Sequence, residues 1–221
     1  MDHVIIAVRL HSGTDPADVL AQWSPIALGD HNLVRITANT AVDRPGAQLR
    51  DAPVELLLTL ETADVDRAEH LPGWDLLAAA ADEIRAWVVA PHHQITWDRT
   101  WPDGETAPGV KMVSFMRRAP ERTHAEFAEH WTQRHTPLAR RHHPGLWNYV
   151  QNVVVRPLTE IGADIDGVAE LHFRSQWSFE HEFFDSDEGR AVILADIPRF
   201  MAPPGRDGSL MTETPLRTLR H

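Results

Sequence analysis

Residues 4–9 (VIIAVR) and residues 112–117 (MVSFMR) are two short strand-like runs, each ending in an arginine. The two arginines lie 108 positions apart. Trp23 and Trp131, each on the helix predicted to follow, have the same spacing. A strand, a turn and a helix therefore align twice in this chain without a gap, which indicates an internal repeat.

The repeat continues towards the end of each half. Residues 33–39 match residues 146–152 at an offset of 113, and residues 55–56 match residues 170–171 at an offset of 115. Offsets that rise slowly and keep their order are typical of a duplication with small loop insertions. We therefore predict that the two halves share one topology.

Each copy has the pattern β-α-β-β-α-β. Thr123 and Glu126 have capping-box spacing and predict a helix that ends near Thr136, while Asp15 and Pro16 predict the start of the first helix. In the first copy we predict strands 4–10, 33–42, 54–62 and 84–99 with helices 16–27 and 65–81. In the second copy we predict strands 110–117, 146–155, 168–174 and 210–218 with helical regions 123–136 and 178–200.

This pattern predicts the fold class. A split β-α-β unit makes a four-stranded antiparallel sheet with both helices on one face, and its other face has to be covered. We predict an α+β fold in which tandem ferredoxin-like units form an intrachain pseudo-dimeric barrel. The expected domains are 1–100, a degenerate first half, and 110–221, which holds the pocket, with a linker at 101–109.

Composition excludes several classes of function. The 221 residues include no cysteine, so disulfides, thiolate metal sites and a cysteine nucleophile are excluded. A net charge of −11 argues against nucleic-acid binding. The absence of a signal-like or long apolar run predicts a soluble, cytoplasmic protein without a membrane partner. Lys111 is the single lysine among 21 basic residues, which we interpret as codon bias.

One helix face carries the most specific pattern. Phe127, Trp131 and His135 recur every four residues and are followed by a Pro-Leu pair. Together with residues 149–152 (YVQN) and 167–171 (GVAEL), this helix resembles the EthD family of dimeric α/β-barrel proteins. The resemblance covers residues 110–215, and reaches 4–100 only through the repeat. It implies a ferredoxin-like fold with cavities on the helix-free side of the sheet.

The family's wider relatives suggest several chemistries. The resemblance extends to aromatic polyketide cyclases, anthrone decarboxylases and oxygenases, muconolactone isomerases and haem-binding proteins. Because one fold hosts many reactions, the reaction has to be argued from individual residues.

Three candidate catalytic residues occur in the second half only. The alignment places His135, Tyr149 and His172 opposite apolar residues of the first half, namely Ala27, Ile36 and Leu57. An imidazole that titrates near neutrality and a phenol that donates to a developing oxyanion suit chemistry that passes through an enolate. The structural alternatives are a histidine satisfied by a local carbonyl and a tyrosine packed in the core.

Four further residues are candidate substrate contacts: Trp131, Trp147, Asn152 and Glu170. Glu170 lies two residues before His172, so on a strand both side chains share a face and the carboxylate could orient the imidazole. Trp131, Asn152 and Glu170 recur in the first half. Recurrence favours structural roles, such as helix–sheet packing for the tryptophan and strand hydrogen bonding for the asparagine.

Other polar groups give weaker signals. Residues 140–143 (RRHH) predict a solvated basic loop, with steering of an anionic substrate as the alternative. The adjacent histidines at 92–93 diverge on regular secondary structure. His181 and Asp185 have the spacing of a metal-binding pair on a helix, but no third ligand is evident, and we predict no metal site.

The sequence thus favours a cofactor-free enzyme that acts by acid/base chemistry on a hydrophobic, aromatic or polyketide-like carbonyl compound. Cyclisation, dehydration, isomerisation and decarboxylation all fit. The alternatives are a non-catalytic ligand-binding or stress-responsive barrel, and a haem protein that binds through one of the histidines. A homodimer of pseudo-dimeric chains is also compatible with this pattern.

Overall fold

The structure of the protein, a computed structural model, describes residues 1–42, 54–63, 65–203 and 208–218. Its strands are β1 (Asp2–Leu10), β2 (Leu33–Ala41), β3 (Leu56–Thr62), β4 (Ala81–Ile95), β5 (Val110–Met116), β6 (Leu146–Pro157), β7 (Gly167–Phe173) and β8 (Gly208–Arg217). Its helices are α1 (Pro16–Gly29), α2 (Trp74–Ala80), α3 (His124–Glu129), α4 (Thr136–His142), α5 (Gln176–His181) and α6 (Asp187–Asp196). No helix in these residues is long and apolar enough to cross a bilayer.

The strands close into one antiparallel barrel in the order β1-β3-β2-β8-β5-β7-β6-β4. Within each half the order is that of a ferredoxin-like unit, β4-β1-β3-β2 and then β8-β5-β7-β6. The halves join where β2 pairs with β8 and where β4 pairs with β6. The predicted intrachain α+β barrel is confirmed. The domain limits stay a prediction, and their ranges include residues outside the described ones.

Strand registers test two of the sequence offsets. Ala7 pairs with Leu57 across β1 and β3. Phe115, which lies 108 residues after Ala7, makes the equivalent pair with Val168 across β5 and β7. The two pairs agree with the offset of 108. Asn39 pairs with Leu57 just as Asn152 pairs with Val168, which agrees with the offset of 113. Both asparagines donate from Nδ2 to the carbonyl oxygen of that partner, at 2.8 and 3.1 Å.

The third offset was wrong by four residues. The registers align β3 with β7 at 111, since position 57 corresponds to 168, and not at 115. Glu170 therefore corresponds to Thr59 and His172 to Glu61, whereas Glu55 precedes β3 and accepts a hydrogen bond from Leu10 N at 2.8 Å. Because polar and apolar residues alternate along a strand, a Glu-Leu pair can match equally well at a position four residues away. This explains the wrong offset.

Both faces of the sheet are buried. One face packs on the helices in two separate cores, which include Val4, Trp23 and Leu58 in the first half and Phe127, Trp131 and Leu171 in the second. The other face fills the barrel and includes Ile5, Leu57, Trp87, Val113, Phe115 and Met211. An alternating strand thus presents apolar side chains in both directions.

The apolar filling does not extend along the whole barrel. At the end where β1 and β5 begin, the inward positions carry polar and charged side chains. On β5, Lys111 faces inward like Val113 and Phe115, because the three residues are spaced two apart. On β7, Glu170 and His172 share the inward face with Val168 for the same reason. We call this part of the interior the polar end of the barrel. It is defined by Lys111, Glu170, Glu213, Asn152, Asn39, Thr59 and His172.

Helix limits follow local capping and breaking signals. The Asp15 carboxylate accepts from Ala17 N at 2.8 Å, and the capping box of Thr123 and Glu126 is present as predicted. The predicted helix 65–81 was too long. A single 3-10 turn at Ala68–His70 is separated from α2 by Pro72 and by Gly73, which has a φ of 70°.

Two other helical regions also differ from the prediction. The region 178–200 is split into α5 and α6, because the Ser186 hydroxyl caps a new helix at Gly189 N. Between α3 and α4 the chain makes a π-helical turn at His130–His135 and continues to His142. Residues 140–142 therefore belong to a helix and not to the predicted basic loop.

Candidate active site

A buried lysine lies at the centre of the polar end. Lys111 is 2% exposed, and its Nζ lies 2.6 Å from Glu170 Oε2 and also contacts Glu213 Oε2. Asn152 Nδ2 donates to the other oxygen of Glu170 at 2.8 Å. Burial alone would lower the pKa of Lys111, but the attraction of the two carboxylates outweighs it and raises the pKa above its usual value. The ammonium therefore stays charged.

Lys111 was not predicted as a site residue, because its presence was interpreted from the composition of the chain and not from its position on a strand. Lys111 has the same parity on β5 as Val113 and Phe115, which face the barrel interior. A charge inside a barrel is costly unless it is paired, so an inward lysine requires acidic partners on the neighbouring strands. Strand parity was the signal that could have identified it.

His172 is buried at the polar end and held in one tautomer. Its Nε2 lies 2.9 Å from the carbonyl oxygen of Pro108, which can only accept, so Nε2 carries the proton. Nδ1 is buried and has no hydrogen-bond partner among the described residues. Burial, and then the charge of Lys111, lower the pKa of His172 to about 3. The imidazole is neutral near pH 7 and offers one acceptor nitrogen.

Aromatic rings surround this histidine. The Trp97 ring lies 4.2 Å from the His172 ring, centroid to centroid, and Trp147 lies 5.9 Å away. Trp101 completes the group at 5.0 Å from Trp97 and 5.7 Å from Trp147. Arg174 stacks over Trp147 at 4.9 Å. The three indoles are half-buried, so they separate the polar end from solvent on the side of the predicted linker.

Three buried polar atoms at the polar end lack a hydrogen-bond partner within the described part of the chain: His172 Nδ1, Asn39 Oδ1 and Thr59 Oγ1. By register, Thr59 is the equivalent of Glu170, and Asn39 is the equivalent of Asn152. Buried polar atoms in folded proteins are nearly always satisfied. Their concentration here indicates a place where a polar ligand would supply the missing partners.

Further titratable groups lie on the first-half side of the same barrel end. Arg35 Nε lies 3.2 Å from Glu61 Oε2. The His93 side chain is exposed. Burial of part of its ring lowers the pKa of His93, while the charge of Glu170 opposes that shift. His93 was not predicted as a site residue, because it is one of an adjacent pair; the barrel brings it close enough to Glu170 for that charge to act on its imidazole.

His135 lies on the opposite face of the sheet, in the helix layer. Its Nδ1 donates to Asp196 Oδ2 at 3.0 Å, and His130 Nε2 donates to the other carboxylate oxygen at 3.0 Å. The His135 ring packs against Phe200 at 5.1 Å. Burial lowers the pKa of His135, and the bond to Asp196 only partly opposes this. The π turn places both histidines on one face, five residues apart.

Tyr149 and Trp131 also face the helices. Trp131 Nε1 donates to the Tyr149 hydroxyl at 3.3 Å, and Gln151 Nε2 donates to the same oxygen at 2.9 Å. Burial raises the pKa of Tyr149 to about 12, so the phenol stays protonated. The structure therefore divides the seven predicted site residues. Asn152, Glu170, His172 and Trp147 meet at the polar end, while His135, Tyr149 and Trp131 lie behind the sheet.

Comparison with known proteins identifies part of the chain. Residues 119–204 match the family model of the EthD domain. The matched segment includes Asn152, Glu170 and His172, but it ends before Glu213 and begins after Lys111. The charged cluster thus combines side chains of the matched segment with side chains from strands outside the match. No curated protein sequence matches the chain.

Solved structures with the same fold superpose on nearly the whole chain. An anthrone oxidase-like protein superposes with a TM-score of 0.64 and 12% identity, covering 97% of this chain and 90% of that one. A chlorite dismutase mutant from Candidatus Nitrospira defluvii gives a TM-score of 0.53 and 12% identity, covering 97% and 92%. At these identities the similarity shows the dimeric α/β-barrel fold alone.

His172 is a poor candidate for a haem ligand. Its Nδ1 has no hydrogen-bond partner among the described residues, but the rings of Trp97 and Trp147 pack edge-on against the imidazole, at centroid distances of 4.2 and 5.9 Å. This packing does not favour the haem alternative at His172.

Proposed function

We propose that the protein is a small-molecule enzyme that acts by acid/base chemistry at the polar end of the barrel. The proposed substrate is a hydrophobic carbonyl compound, aromatic or polyketide-like. The observation that carries the proposal is the Lys111–Glu170 pair, buried beside polar atoms that have no hydrogen-bond partner among the described residues. A permanent cation next to an oriented carboxylate is suited to making and stabilising an enolate.

Glu170 is the proposed base. Asn152 holds one carboxylate oxygen and Lys111 holds the other, so the carboxylate has one orientation while each oxygen keeps a free lone pair. Removal of a proton from the carbon next to a carbonyl transfers that proton to Glu170 and the electron pair to the carbonyl oxygen. Return of the proton from Glu170 to another carbon completes an isomerisation. Transfer of that proton to a hydroxyl on the β carbon completes a dehydration: the hydroxyl leaves as water, and the electron pair of the enolate forms the new C=C bond as the carbonyl is restored.

Lys111 is the proposed electrophilic partner. Two of its three N–H groups point to Glu170 and Glu213, which leaves one for a substrate oxygen. Because its pKa is raised, the ammonium remains protonated while negative charge develops on that oxygen. A fixed positive charge away from bulk water stabilises an oxyanion more strongly than water does.

His172 is proposed to bind the substrate and not to take its proton. A pKa of about 3 makes its neutral imidazole a weak proton acceptor at pH 7. Its free Nδ1 is nevertheless a good hydrogen-bond acceptor for a hydroxyl group of the substrate. Trp97 and Trp147 would contact the apolar body of that substrate. The similarity to an anthrone oxidase-like protein supports the same class of compound, because an anthrone is an aromatic ketone.

The test compares turnover of Glu170→Gln with wild type on a panel of hydroxylated anthrones and aromatic polyketones. Glutamine keeps the size and one acceptor oxygen, and Lys111 keeps Glu213, so the fold should survive. We expect turnover to fall by about 100- to 10,000-fold while binding persists, measured by quenching of the tryptophans. Glu160→Gln is the matched control, because this glutamate is exposed.

Three outcomes would contradict the proposal. Wild-type turnover in Glu170→Gln would show that Glu170 is not the base. Loss of turnover in His135→Gln with full activity in Glu170→Gln moves the chemistry to the helix layer. Saturable binding of a panel compound without turnover by the wild-type protein supports the non-catalytic ligand-binding alternative.

A further inference from the structure

An open cleft lies outside the barrel, between the π turn with α4 and the end of β4. Its volume is about 500 Å³, within the range of small-molecule sites. Its walls come from the second helix layer and from one strand of the first half. The lining residues are Gln94, Thr132, Gln133, Thr136, Pro137, Arg140 and Arg141.

The lining has an unusual charge for this protein. No carboxylate lines the cleft, while two guanidinium groups do, in a chain with a net charge of −11. Arg140 Nη2 donates to the carbonyl oxygen of Gln94, which fixes that guanidinium across the cleft. Arg141 makes no hydrogen bond or ion pair with any described residue. The cleft therefore presents one anchored and one uncommitted cation.

The floor of the cleft is an ordered hydrogen-bond network. Gln94 Nε2 donates to Gln151 Oε1 at 2.8 Å, and Gln151 Nε2 donates to Trp131 O at 3.0 Å. Thr136, 5% exposed, places its hydroxyl 3.3 Å from Gln151 Oε1. With Gln151 fully buried, the Gln94 amide is held in place and its second N–H remains to be donated.

We propose that this cleft binds a small aromatic carboxylate. The carboxylate pairs with the Arg141 guanidinium in the two-bond geometry that arginine favours, and the Gln94 amide donates to it. The ring lies against Pro137 and against the planar face of the anchored Arg140 guanidinium. This site is separate from the polar end of the barrel and does not depend on the function proposed for that end.

The test measures benzoate binding by isothermal titration calorimetry, with inorganic phosphate as a second probe. Arg141→Gln should weaken benzoate binding at least tenfold, because the uncommitted cation is lost. Arg134→Gln is the matched control: it removes the same charge from the neighbouring π turn, where Arg134 pairs with Glu129 at 2.9 Å outside the cleft. The control should bind benzoate as wild type does.

Each other outcome overturns the proposal. Equal weakening by Arg134→Gln would mean that overall charge, and not the cleft, attracts the anion. Phosphate binding as tight as benzoate binding would mean that the site recognises charge without an aromatic body. Absence of saturable benzoate binding to the wild-type protein would leave the cleft without this ligand. Both arginines are exposed, so equal unfolding midpoints can confirm that the variants are folded.

Discussion

At the scale of single residues, Lys111 determines the electrostatics of the polar end. A lysine that is almost fully buried is tolerated because Glu170 and Glu213 approach it from two neighbouring strands. Burying an ion pair is close to neutral for stability, but burying one partner alone is strongly unfavourable. The cluster is therefore sensitive to loss of its single cation.

Lys111→Met should lower the free energy of unfolding by about 3 to 5 kcal/mol at pH 7, measured by urea denaturation. The variant leaves two carboxylates buried without a cation, and breaking a buried pair by removing one partner is the strongly unfavourable case.

The comparison for this variant is Arg134→Met, which removes an exposed charge and should change stability by less than about 1 kcal/mol. If Lys111→Met unfolded within the same margin of wild type at pH 7, the carboxylates would not depend on the lysine as described.

His172 should account for part of the fall in the free energy of unfolding at acid pH. Its pKa is about 3 in the folded protein and 6.5 in the unfolded chain, so between these values the unfolded state binds a proton that the folded state refuses. Stability therefore falls as pH drops through this window, by about 1.4 kcal/mol per pH unit. His172→Gln should remove about 2 to 3 kcal/mol of the stability difference between pH 7 and pH 4.5.

The matched variant is His181→Gln, because that histidine is exposed and stacks on Trp177. Urea denaturation at both pH values should give the wild-type difference for His181→Gln and a smaller one for His172→Gln. An unchanged difference in His172→Gln would show that this imidazole titrates in the folded protein much as it does in the unfolded chain.

At the scale of elements, the approach to β5 depends on one glycine. Gly109 has a φ of +87°, and a Cβ there would lie 1.9 Å from the carbonyl oxygen of Phe173 at the end of β7. The preceding residue, Pro108, supplies the carbonyl that fixes His172. The turn therefore links the connection between the two halves to the tautomer of a site residue.

Gly109→Ala should destabilise the protein by more than backbone strain alone. Gly104 has the same φ, but a Cβ there meets nothing within 4 Å, so Gly104→Ala should cost only the left-handed penalty of about 1 to 2 kcal/mol. The clash in Gly109→Ala should add roughly 1 to 3 kcal/mol. Urea denaturation of the pair measures the difference, and equal losses would contradict the close approach.

At the scale of the whole molecule, closure of the barrel removes every sheet edge in the described part of the chain. The edges of one half pair with those of the other at the β2–β8 and β4–β6 seams. An open four-stranded unit would leave backbone donors and acceptors unpaired at both edges. One chain thus completes the barrel without a second copy.

Closure also creates the difference between the two ends of the interior. Side chains such as Trp87 and Phe115 fill one part with apolar volume, and their rings lie 5.6 Å apart. The end where β1 and β5 begin instead collects charges from β5, β7 and β8. The proposed active site is therefore a product of how strands from one half meet inside the closed barrel.

The sequence by itself predicted the order of elements and the barrel fold, because alternation, capping and chain spacing are local properties. Two of three repeat offsets agree with the strand registers, and the third does not, because a Glu-Leu pair fits a strand at several pleats. It also identified Asn152, Glu170 and His172. It assigned no function to Lys111 and placed His135 with them.

Only the tertiary structure decided which side chains meet. Each strand here is buried on both faces, one against helices and one inside the barrel, so apolar alternation does not distinguish inside from outside. Lys111 on β5 and Tyr149 on β6 show the difference: the lysine faces the barrel interior beside Glu170, and the tyrosine faces the helices beside Trp131. Which face of a strand lies inside is set by closure of the barrel, which depends on contacts between strands far apart in the chain.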